Sequence, residues 1–358
     1  IARKQKVVRK LVLGVKGKLT ANNVTIVNGE ASIVDKNHVL CGDETYECDN
    51  LLLCTGSETF IPLIPGIDTV PYWTHRDALD NKELPKSLVV IGGGVIGMEF
   101  ASFFNSLGVE VTVIEMLDEI LGGMDKELSA MLRVEYAKRG IKFMLNTKVV
   151  SLDGSAGENG ETQVRVNYEN AEGTGFSVAE KLLMSVGRRP VTKGFGLENL
   201  NPEKTERGNI RVDGQMRTSV TGVYVCGDLT GFSLLAHTAV REAEVAVHAV
   251  LGKKDCMSYR AIPGVVYTNP EIAGVGDTEE ALQKKGIPYR TVKLPMAYSG
   301  RFVAENEGVN GMCKLLLAED DTVLGAHVLG NPASEIITLA GMAVELKLTA
   351  AEWKKIVF

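Results

Sequence analysis

The sequence predicts an α/β protein built around a glycine-rich β-α-β unit, and three observations predict it. A continuous apolar run at residues 87–91 leads into the turn Gly92-Gly93-Gly94-Val95-Ile96-Gly97, then a helical pattern, then a second strand pattern that ends at Glu115. Another buried strand pattern ends in Gly227-Asp228. From Pro263 onward short strand patterns alternate with helices, which is typical of a further α+β domain.

Each glycine of the first turn has a physical role in holding a dinucleotide. Gly92 allows the tight turn, Gly94 lets the backbone approach a pyrophosphate, and Gly97 lets the helix pack on the strand. The amino end of the helix then offers free N–H groups and a partial positive charge to the phosphates. A glycine-rich turn in an unrelated α/β domain is the alternative interpretation.

Glu115 lies at the end of the strand that follows this helix, 23 residues after Gly92. A carboxylate at that place accepts hydrogen bonds from a ribose 2′-OH and repels a 2′-phosphate. The sequence therefore predicts NAD rather than NADP.

Composition excludes several classes of partner. The 358 residues are 45% hydrophobic and 23% charged, with a net charge of −6 and no sustained basic run, so nucleic acid is not an expected partner. The apolar run 88–104 contains three consecutive glycines and Glu99, which argues against a membrane helix. The basic opening at residues 3–10 is interpreted as a solvated face rather than a targeting signal.

The six cysteines form no CxxC pair, and nothing indicates an oxidising compartment. A disulfide between Cys41 and Cys48 is an alternative that the sequence allows, although their spacing does not indicate one. Cys54, Cys226 and Cys313 lie in apolar strand patterns and are expected to be buried. The histidines show no ligand spacing, so no metal site is predicted.

The remaining elements follow from periodicity and from turn and cap residues. Helix 126–139 is expected to start at an Asp125 N-cap and to stop at Gly140, and a proline-rich crossing spans 58–86. Capping boxes are predicted at 277–280, opening a helix that stops at Gly286, and at 349–352. Further helices are predicted at 239–250 and 333–347, a polar turn at 153–160, and strands at 24–27, 31–34, 38–40, 51–54, 141–149, 162–168, 178–186, 223–226, 265–268, 291–294, 311–318 and 323–329.

Several polar residues have more than one interpretation. Asp228 follows a buried strand, where it could bind polyol hydroxyls, but a capping or turn aspartate fits the spacing equally well. Glu99 follows Gly97 in an apolar run, so it needs a cationic or hydrogen-bonding partner unless it reaches solvent. Arg188 and Arg189 could face a phosphate or be solvated, and His237 is a general base or a helix-start histidine.

Eight sequence blocks occur in order along nearly the whole chain and resemble the FAD-dependent pyridine nucleotide–disulfide oxidoreductases. That resemblance implies two Rossmann-like nucleotide-binding domains, with an NAD domain inserted into an incomplete FAD domain, and a C-terminal α+β interface domain. The implied ranges are 1–75 and 193–258 for the FAD-binding domain, 76–192 for the NAD-binding domain and 259–358 for the interface domain. The blocks are LLLCTGSE at 51–58, VVIGGGVIGMEF at 89–100, VTVIE at 111–115, KFMLNTKV at 142–149, SVGRRPVTKGFGLENL at 185–200, VYVCGDLTGFSLLAHTA at 223–239, VVYTNPEIAGVG at 265–276 and VLGAHVLG at 323–330.

The resemblance also implies roles for individual residues. Glu99 should lie near the flavin and the nicotinamide in a supporting role, and no catalytic residue of its own is expected in this sequence. The implied NAD site comprises Gly92, Gly93, Gly94, Val95, Ile96, Gly97, Met98, Glu99, Glu115, Val149 and Gly187. The implied FAD site comprises Ala31, Thr55, Gly56, Ser57, Asp228, Leu234, Leu235, Ala236 and His237.

The blocks are most similar to members of the family that reoxidise protein-bound dihydrolipoyl groups with NAD⁺. This implies a homodimer that serves the lipoyl domains of 2-oxo acid dehydrogenase or glycine cleavage complexes, in the cytoplasm or in the mitochondrial matrix of a eukaryote. Small residues between Ala333 and Ala343 suit a close helix contact at the dimer interface. The alternatives are an NADH oxidase, a mercuric, glutathione or CoA-disulfide reductase, or a non-catalytic nucleotide-binding module.

The family's CxxxxC redox pair and its HPT-type histidine segment are not found in the sequence. We therefore expect the chain to be truncated at both ends and, as printed, to be inactive.

Overall fold

The computed structural model describes residues 1–156 and 162–357. The helices are α1 Ala2–Ala21, α2 His75–Asp80, α3 Val95–Ser106, α4 Lys126–Lys138, α5 Ala236–Val250, α6 Glu279–Lys285, α7 Gly300–Glu305, α8 Ala333–Glu345 and α9 Ala350–Trp353. The strands are β1 Ala31–Asp35, β2 His38–Cys41, β3 Glu44–Glu47, β4 Leu51–Leu53, β5 Ser57–Thr59, β6 Ser87–Ile91, β7 Glu110–Ile114, β8 Lys142–Met144, β9 Lys148–Ala156, β10 Thr162–Asn170, β11 Gly173–Ala179, β12 Lys181–Met184, β13 Arg188–Pro190, β14 Val223–Val225, β15 Gly264–Val266, β16 Ile272–Gly276, β17 Arg290–Pro295, β18 Met312–Leu317 and β19 Val323–Leu329.

The chain divides into two units. The first contains residues 1–58 and 188–259, and the second contains residues 59–187 and 260–358. The four-part division predicted from the sequence is finer than this and stays a prediction.

In the first unit, β4 pairs in parallel with β14, and β1, β2 and β3 form an antiparallel sheet. The two strands of the parallel pair are apolar because both of their faces are covered. One face packs on a cluster that includes Ile33, Leu197 and Ile210. Helix α5 covers the other side through Val245, Ala246 and Ala249.

The second unit contains a parallel sheet in the order β12-β6-β7-β8, joined by α3 and α4. An antiparallel sheet β11-β10-β9 follows within the same stretch of chain. A third, antiparallel sheet has the order β15-β16-β19-β18-β17 and carries α8 on one face. One apolar cluster joins the parallel sheet and α3 and α4 to Val266, Ile272 and Leu329 of the third sheet.

A buried ion cluster ties α4 to the third sheet. Lys314 on β18 and Asp125 at the start of α4 are each 1% exposed, and their charged atoms are 2.8 Å apart. Lys314 also contacts Glu279 at 2.6 Å and Glu127 at 2.8 Å. Burial alone would lower the pKa of Lys314, but its hydrogen bonds to the three carboxylates outweigh burial and raise it. Lys314 therefore stays charged at neutral pH.

The predicted helix boundaries are largely confirmed. Asp125 caps α4 by accepting from the Leu128 N–H at 3.1 Å, and Gly140 follows with φ 94°. Thr349 and Glu352 form the predicted capping box. The other predicted box is wrong in register, because Thr278 rather than Asp277 caps α6, while Asp277 pairs with Lys285 at 2.5 Å.

Several strand predictions were wrong. Residues 24–27 form no strand, and Val24, Ile26 and Val27 are 40–47% exposed, because no neighbouring strand supplies a hydrogen-bonding ladder in the described chain. The run 141–149 splits into β8 and β9 at Asn146, which adopts φ 50°. The run 178–186 splits between β11 and β12, which belong to different sheets, as Glu180 turns to bond Ser87. The polar turn predicted at 153–160 is strand up to Ala156, and 157–160 lie outside the described residues.

The small residues of α8 do not form an exposed contact surface, contrary to the sequence expectation. Ala333, Ala340 and Ala343 are at most 2% exposed and pack in the core with the third sheet. The exposed apolar side chains of this helix are instead Leu339 and Met342, each more than half exposed.

Helix α1 was not predicted. It is 20 residues long and contains no buried residue, so the basic opening of the chain is solvated as expected. Among the described residues, no helix combines the length and the apolarity needed to cross a membrane.

We predict that Lys314→Met lowers the free energy of unfolding by about 3–5 kcal/mol, because Asp125 would remain buried without its cation. Lys126→Met is the matched control. Lys126 pairs with Asp118 at the surface, where both are at least half exposed, so its loss should change the free energy of unfolding little. Urea unfolding of the intact protein measures both changes. Equal, small losses for the two variants would contradict the account.

Candidate nucleotide-binding sites

The glycine turn lies at the point where the order of the parallel strands reverses. The chain passes from β6 to β7 to β8 on one side and then returns as β12 on the other side of β6. In open α/β sheets, ligands bind outside the carboxyl ends of the strands at such a point. Gly92, Gly93 and Gly94 directly follow β6, and Ser185 directly follows β12.

Two of the turn's glycines are required by close backbone contacts. Gly92 has φ 101°, and a Cβ there would lie 2.5 Å from the Ser185 carbonyl oxygen. A Cβ on Gly97 would lie 2.0 Å from the Gly92 carbonyl oxygen. The Ser185 hydroxyl lies 2.9 Å from that same carbonyl oxygen. Helix α3 therefore starts directly against the end of β6.

Gly94 differs from the other two glycines. It has φ −71°, caps α3 without a side chain, and no atom lies within 4 Å of the place that a Cβ would occupy. Val95, Ile96 and Gly97 form the first turn, and the N–H of Met98 donates to the Gly94 carbonyl oxygen at 2.9 Å. The space above Gly94 thus faces the amino end of a 12-residue helix.

Glu115 is anchored to this turn. Its carboxylate accepts from the Gly93 N–H at 2.6 Å and from the Leu117 N–H at 2.8 Å. A carboxylate has about four acceptor positions, so two remain for other donors. Glu115 is half-buried. It therefore presents a fixed negative charge beside the helix amino end.

The other predicted NAD residues lie around the same sheet. Met98 is fully buried in the core, and Val149 packs in the cluster between the parallel and antiparallel sheets. Gly187 has φ 125°, and its carbonyl oxygen accepts from the Phe60 N–H at 3.0 Å. Glu99 is half-buried, and its carboxylate accepts from the Tyr267 N–H at 2.9 Å, so it has the hydrogen-bonding partner that its apolar surroundings require.

In the first unit, the predicted FAD residues gather at the carboxyl ends of β4 and β14. The Ser57 hydroxyl donates to the Asp228 carboxylate. Thr55 donates to the Val191 carbonyl oxygen at 2.8 Å, and Gly56 has φ 71°. Asp228 is half-buried, so its carboxylate lies at a strand end with one hydroxyl already bound.

The two arginines predicted together have different surroundings. Arg188 donates to the Ser57 hydroxyl at 2.7 Å and to the Ser57 carbonyl oxygen at 2.5 Å. Arg189 forms an exposed ion pair with Glu58. Arg188 thus orders the Ser57–Asp228 contact, while Arg189 is the solvated charge that one interpretation expected.

The remaining predicted FAD residues are less tightly gathered. Leu234, Leu235, Ala236 and His237 lie at the start of α5, where His237 is exposed. Helix α5 approaches the Asp228 turn closely, since a Cβ on Gly227 would lie 3.3 Å from the Ala239 Cβ. Ala31 lies apart, as the first residue of β1 in the antiparallel sheet, and is exposed.

Sequence reasoning missed the buried carboxylate that holds this turn. Glu242 on α5 is 0% exposed and accepts from the Gly227 N–H at 2.5 Å and from the Tyr259 hydroxyl at 2.7 Å. Burial, followed by this hydrogen bond, raises the pKa of Tyr259. Helical spacing could have indicated that Glu242 is buried, because it shares a helical face with Thr238, Val245 and Ala249, which are buried.

The predicted burial of the cysteines is only partly correct. Cys226 is buried and Cys313 is half-buried, but Cys54 is exposed. All six cysteines are free thiols, including Cys41 and Cys48.

Comparison with known proteins places the chain in a family. The family model described as pyridine nucleotide-disulphide oxidoreductase matches residues 1–243, and the model of its dimerisation domain matches residues 262–358. The chain is 38% identical over 355 residues to the dihydrolipoyl dehydrogenase of Geobacillus stearothermophilus, with 98% of this chain and 74% of that protein covered. It is 36% identical to dihydrolipoyl dehydrogenase 1, mitochondrial, of Arabidopsis thaliana, with 96% and 68% covered.

Solved structures show the same fold. The Cu(II) complex of the HOCl-induced flavoprotein disulfide reductase RclA from Escherichia coli has a TM-score of 0.89 at 28% identity, with 99% of this chain and 81% of that chain covered. LpdA from Mycobacterium tuberculosis has a TM-score of 0.88 at 27% identity, with 100% and 79% covered. The match of two adjoining family models to nearly the whole chain shows that it belongs to the pyridine nucleotide–disulphide oxidoreductases.

Proposed function

We propose that this chain carries the NAD site and part of the FAD site of an enzyme that reoxidises protein-bound dihydrolipoyl groups with NAD⁺. FAD and a pyridine nucleotide are the cofactors of the family to which the chain belongs. The observation that carries the choice of NAD is the Glu115 carboxylate, bound to the Gly93 N–H beside the amino end of α3.

The residues of the second unit fit a bound NAD. The open space above Gly94 admits a pyrophosphate to the first turn of α3, where the helix dipole favours an anion. The two free acceptor positions of Glu115 suit the adenosine ribose hydroxyls, whereas a 2′-phosphate would meet a like charge. The side chain of Glu99 is flexible, but the hydrogen bond from the Tyr267 N–H would hold its carboxylate in one position.

The residues of the first unit fit part of a bound FAD. Asp228 offers acceptor oxygens to a polyol at the carboxyl end of a buried strand, and Ser57 and Arg188 fix its orientation. The Glu242 carboxylate accepts from the Gly227 N–H and so holds the turn that carries Asp228 in position. When bound, FAD passes electrons between a dithiol and the nicotinamide ring.

The dihydrolipoyl substrate is proposed from the names of the relatives. The proteins from Geobacillus stearothermophilus and Haemophilus influenzae, at 38% and 35% identity, are both called dihydrolipoyl dehydrogenase. The chain spans about three quarters of their length, at 74% and 73%. The sequence contains no CxxxxC pair, so the dithiol exchange itself is assigned to no residue of this chain.

The match to the dimerisation domain supports a homodimer. The proposed partners are the lipoyl domains of 2-oxo acid dehydrogenase or glycine cleavage complexes. The proposed compartment stays the cytoplasm, or the mitochondrial matrix of a eukaryote, which suits six free cysteines.

A disulfide reductase is the second candidate. The structural similarity to RclA, whose title calls it a flavoprotein disulfide reductase, favours it. A glutathione reductase that requires NADPH is opposed by the negative charge of Glu115.

We predict that Gly94→Ser weakens NAD⁺ binding to the intact protein by about 5- to 150-fold, because the new side chain fills the space reserved for the pyrophosphate, a loss of about 1–3 kcal/mol. Folding should be unaffected, since serine is a favourable N-cap residue. Titration calorimetry measures the affinity and urea unfolding measures the stability.

The matched control is Gly154→Ser, at another position with nothing within 4 Å of the added Cβ and no positive φ. It should change neither quantity. Unaltered NAD⁺ affinity of Gly94→Ser would show that the pyrophosphate does not bind at this turn.

For the reaction, we expect the full-length protein, including any residues outside this chain, to reduce NAD⁺ with dihydrolipoamide and to prefer NAD⁺ over NADP⁺ by about 10-fold or more, a difference of at least about 1.4 kcal/mol. The absorbance of NADH follows turnover. Faster turnover of NADPH with glutathione disulfide or another small disulfide would instead identify the reductase. No turnover of either kind by the flavin-containing protein would leave the non-catalytic module as the function.

A further inference from the structure

Two thiols meet at the carboxyl ends of the parallel strands in the first unit. Cys54 directly follows β4 and Cys226 directly follows β14, and the Sγ atoms are 3.3 Å apart. Leu53 and Val225 lie opposite each other at the ends of the paired strands β4 and β14. Cys54 and Cys226 are the next residues after the two strands, so they also lie opposite each other. In the described part of the chain, no other two cysteine sulfurs are recorded in contact with each other.

The backbone geometry suits a covalent bond between the sulfurs. Neighbouring strands lie about 4.8 Å apart, and disulfides join residues whose Cα atoms are about 4.4–6.8 Å apart. The Cys226 N–H donates to the Leu53 carbonyl oxygen at 3.2 Å, so the strands are still paired at this level. A side-chain rotation is therefore sufficient to bring the sulfurs to bonding distance.

The two thiols differ in reactivity. The hydrogen bond from Cys226 lowers the pKa of Cys54, against the opposing effect of burial. The same hydrogen bond, then burial and the charges of Cys54 and Glu242, raise the pKa of Cys226. Cys54 is also the exposed member of the pair, while Cys226 is 4% exposed. Cys54 therefore has the character of an attacking thiolate and Cys226 that of a resolving thiol.

We propose that Cys54 and Cys226 are a modification site that forms a reversible intramolecular disulfide by exchange with a small disulfide such as glutathione disulfide. The Cys54 thiolate attacks one sulfur of the small disulfide, whose S–S bond breaks and releases one thiolate. That thiolate takes the proton of Cys226. Cys226 then attacks the Cys54 sulfur and releases the second thiolate, which is protonated by solvent. Two protein thiols are oxidised, and one small disulfide is reduced to two thiols.

This inference does not depend on the proposed function. The pair lies beside Thr55–Ser57 and Gly227–Asp228, but the sulfurs meet whether or not those residues bind FAD. It is also separate from the CxxxxC chemistry of the family, since these two cysteines are 172 residues apart in the chain.

The test uses the intact, flavin-containing protein. It is incubated with excess glutathione disulfide, its free thiols are alkylated, and it is digested without reduction by a protease that cleaves before aspartate. Cleavage before Asp49, Asp68, Asp213 and Asp228 gives peptides 49–67 and 213–227, each with a single cysteine. Mass spectrometry then detects these two peptides either joined or separately alkylated.

We expect the joined pair, lighter than the sum of its peptides by two hydrogen atoms, and its disappearance after treatment with dithiothreitol. Cys54→Ser and Cys226→Ser should each abolish it. Glutathione should remain attached to Cys54 in Cys226→Ser but not to Cys226 in Cys54→Ser. Cys256→Ser, which removes an exposed thiol elsewhere in the first unit, should leave the joined pair unchanged.

Complete separate alkylation of both peptides in the oxidised wild-type protein would overturn the proposal. This readout needs no variant to fold and no enzymatic turnover. Glutathione that attaches to Cys226 in Cys54→Ser but not to Cys54 in Cys226→Ser would equally overturn it, since Cys54 would then not be the attacking thiol.

Discussion

The second unit depends on one contact, between helix α3 and the end of β6. The two approach each other at a distance that only glycine permits. A Cβ on Gly97 would lie 2.0 Å from the Gly92 carbonyl oxygen, and the Ser185 hydroxyl, after the neighbouring strand, donates to the same oxygen. This contact fixes the amino end of α3 at the strand reversal. Glu115 can then bond the Gly93 N–H, so the anion-binding end of the helix and the carboxylate beside it form one rigid arrangement.

Buried ionisable side chains hold the surroundings of each candidate site. Lys314 with its carboxylates joins α4 to the third sheet in the second unit, and Glu242 joins α5 to the Gly227 turn in the first. Both side chains are long and lie in otherwise apolar segments, and both have polar partners. Removing a partner would leave a buried polar group unsatisfied, so these groups define geometry even where they add little net stability.

The sequence predicted the parts that depend on local chemistry. The glycine turn, the Asp125 cap, the Gly140 stop and the Thr349 box each follow from a few neighbouring residues. It did not predict what depends on contacts between distant segments. The division of residues 178–186 between two sheets, the burial of the α8 alanines and the meeting of Cys54 with Cys226 all require knowledge of which strands pair. Glu242 is an intermediate case. Helical spacing predicts that it lies on a buried face, but it does not predict which groups its carboxylate binds.

Hydrogen–deuterium exchange of the intact protein with and without NAD⁺ tests the central claim most directly. If the diphosphate binds at the amino end of α3, exchange should slow at residues 92–97 and at the segment that follows Glu115, while the buried strand β6 changes little because it is already protected. The same experiment with NADP⁺ at equal concentration should show weaker protection. Protection that appears elsewhere in the chain, with none at residues 92–97, would contradict the assignment of this turn as the NAD site.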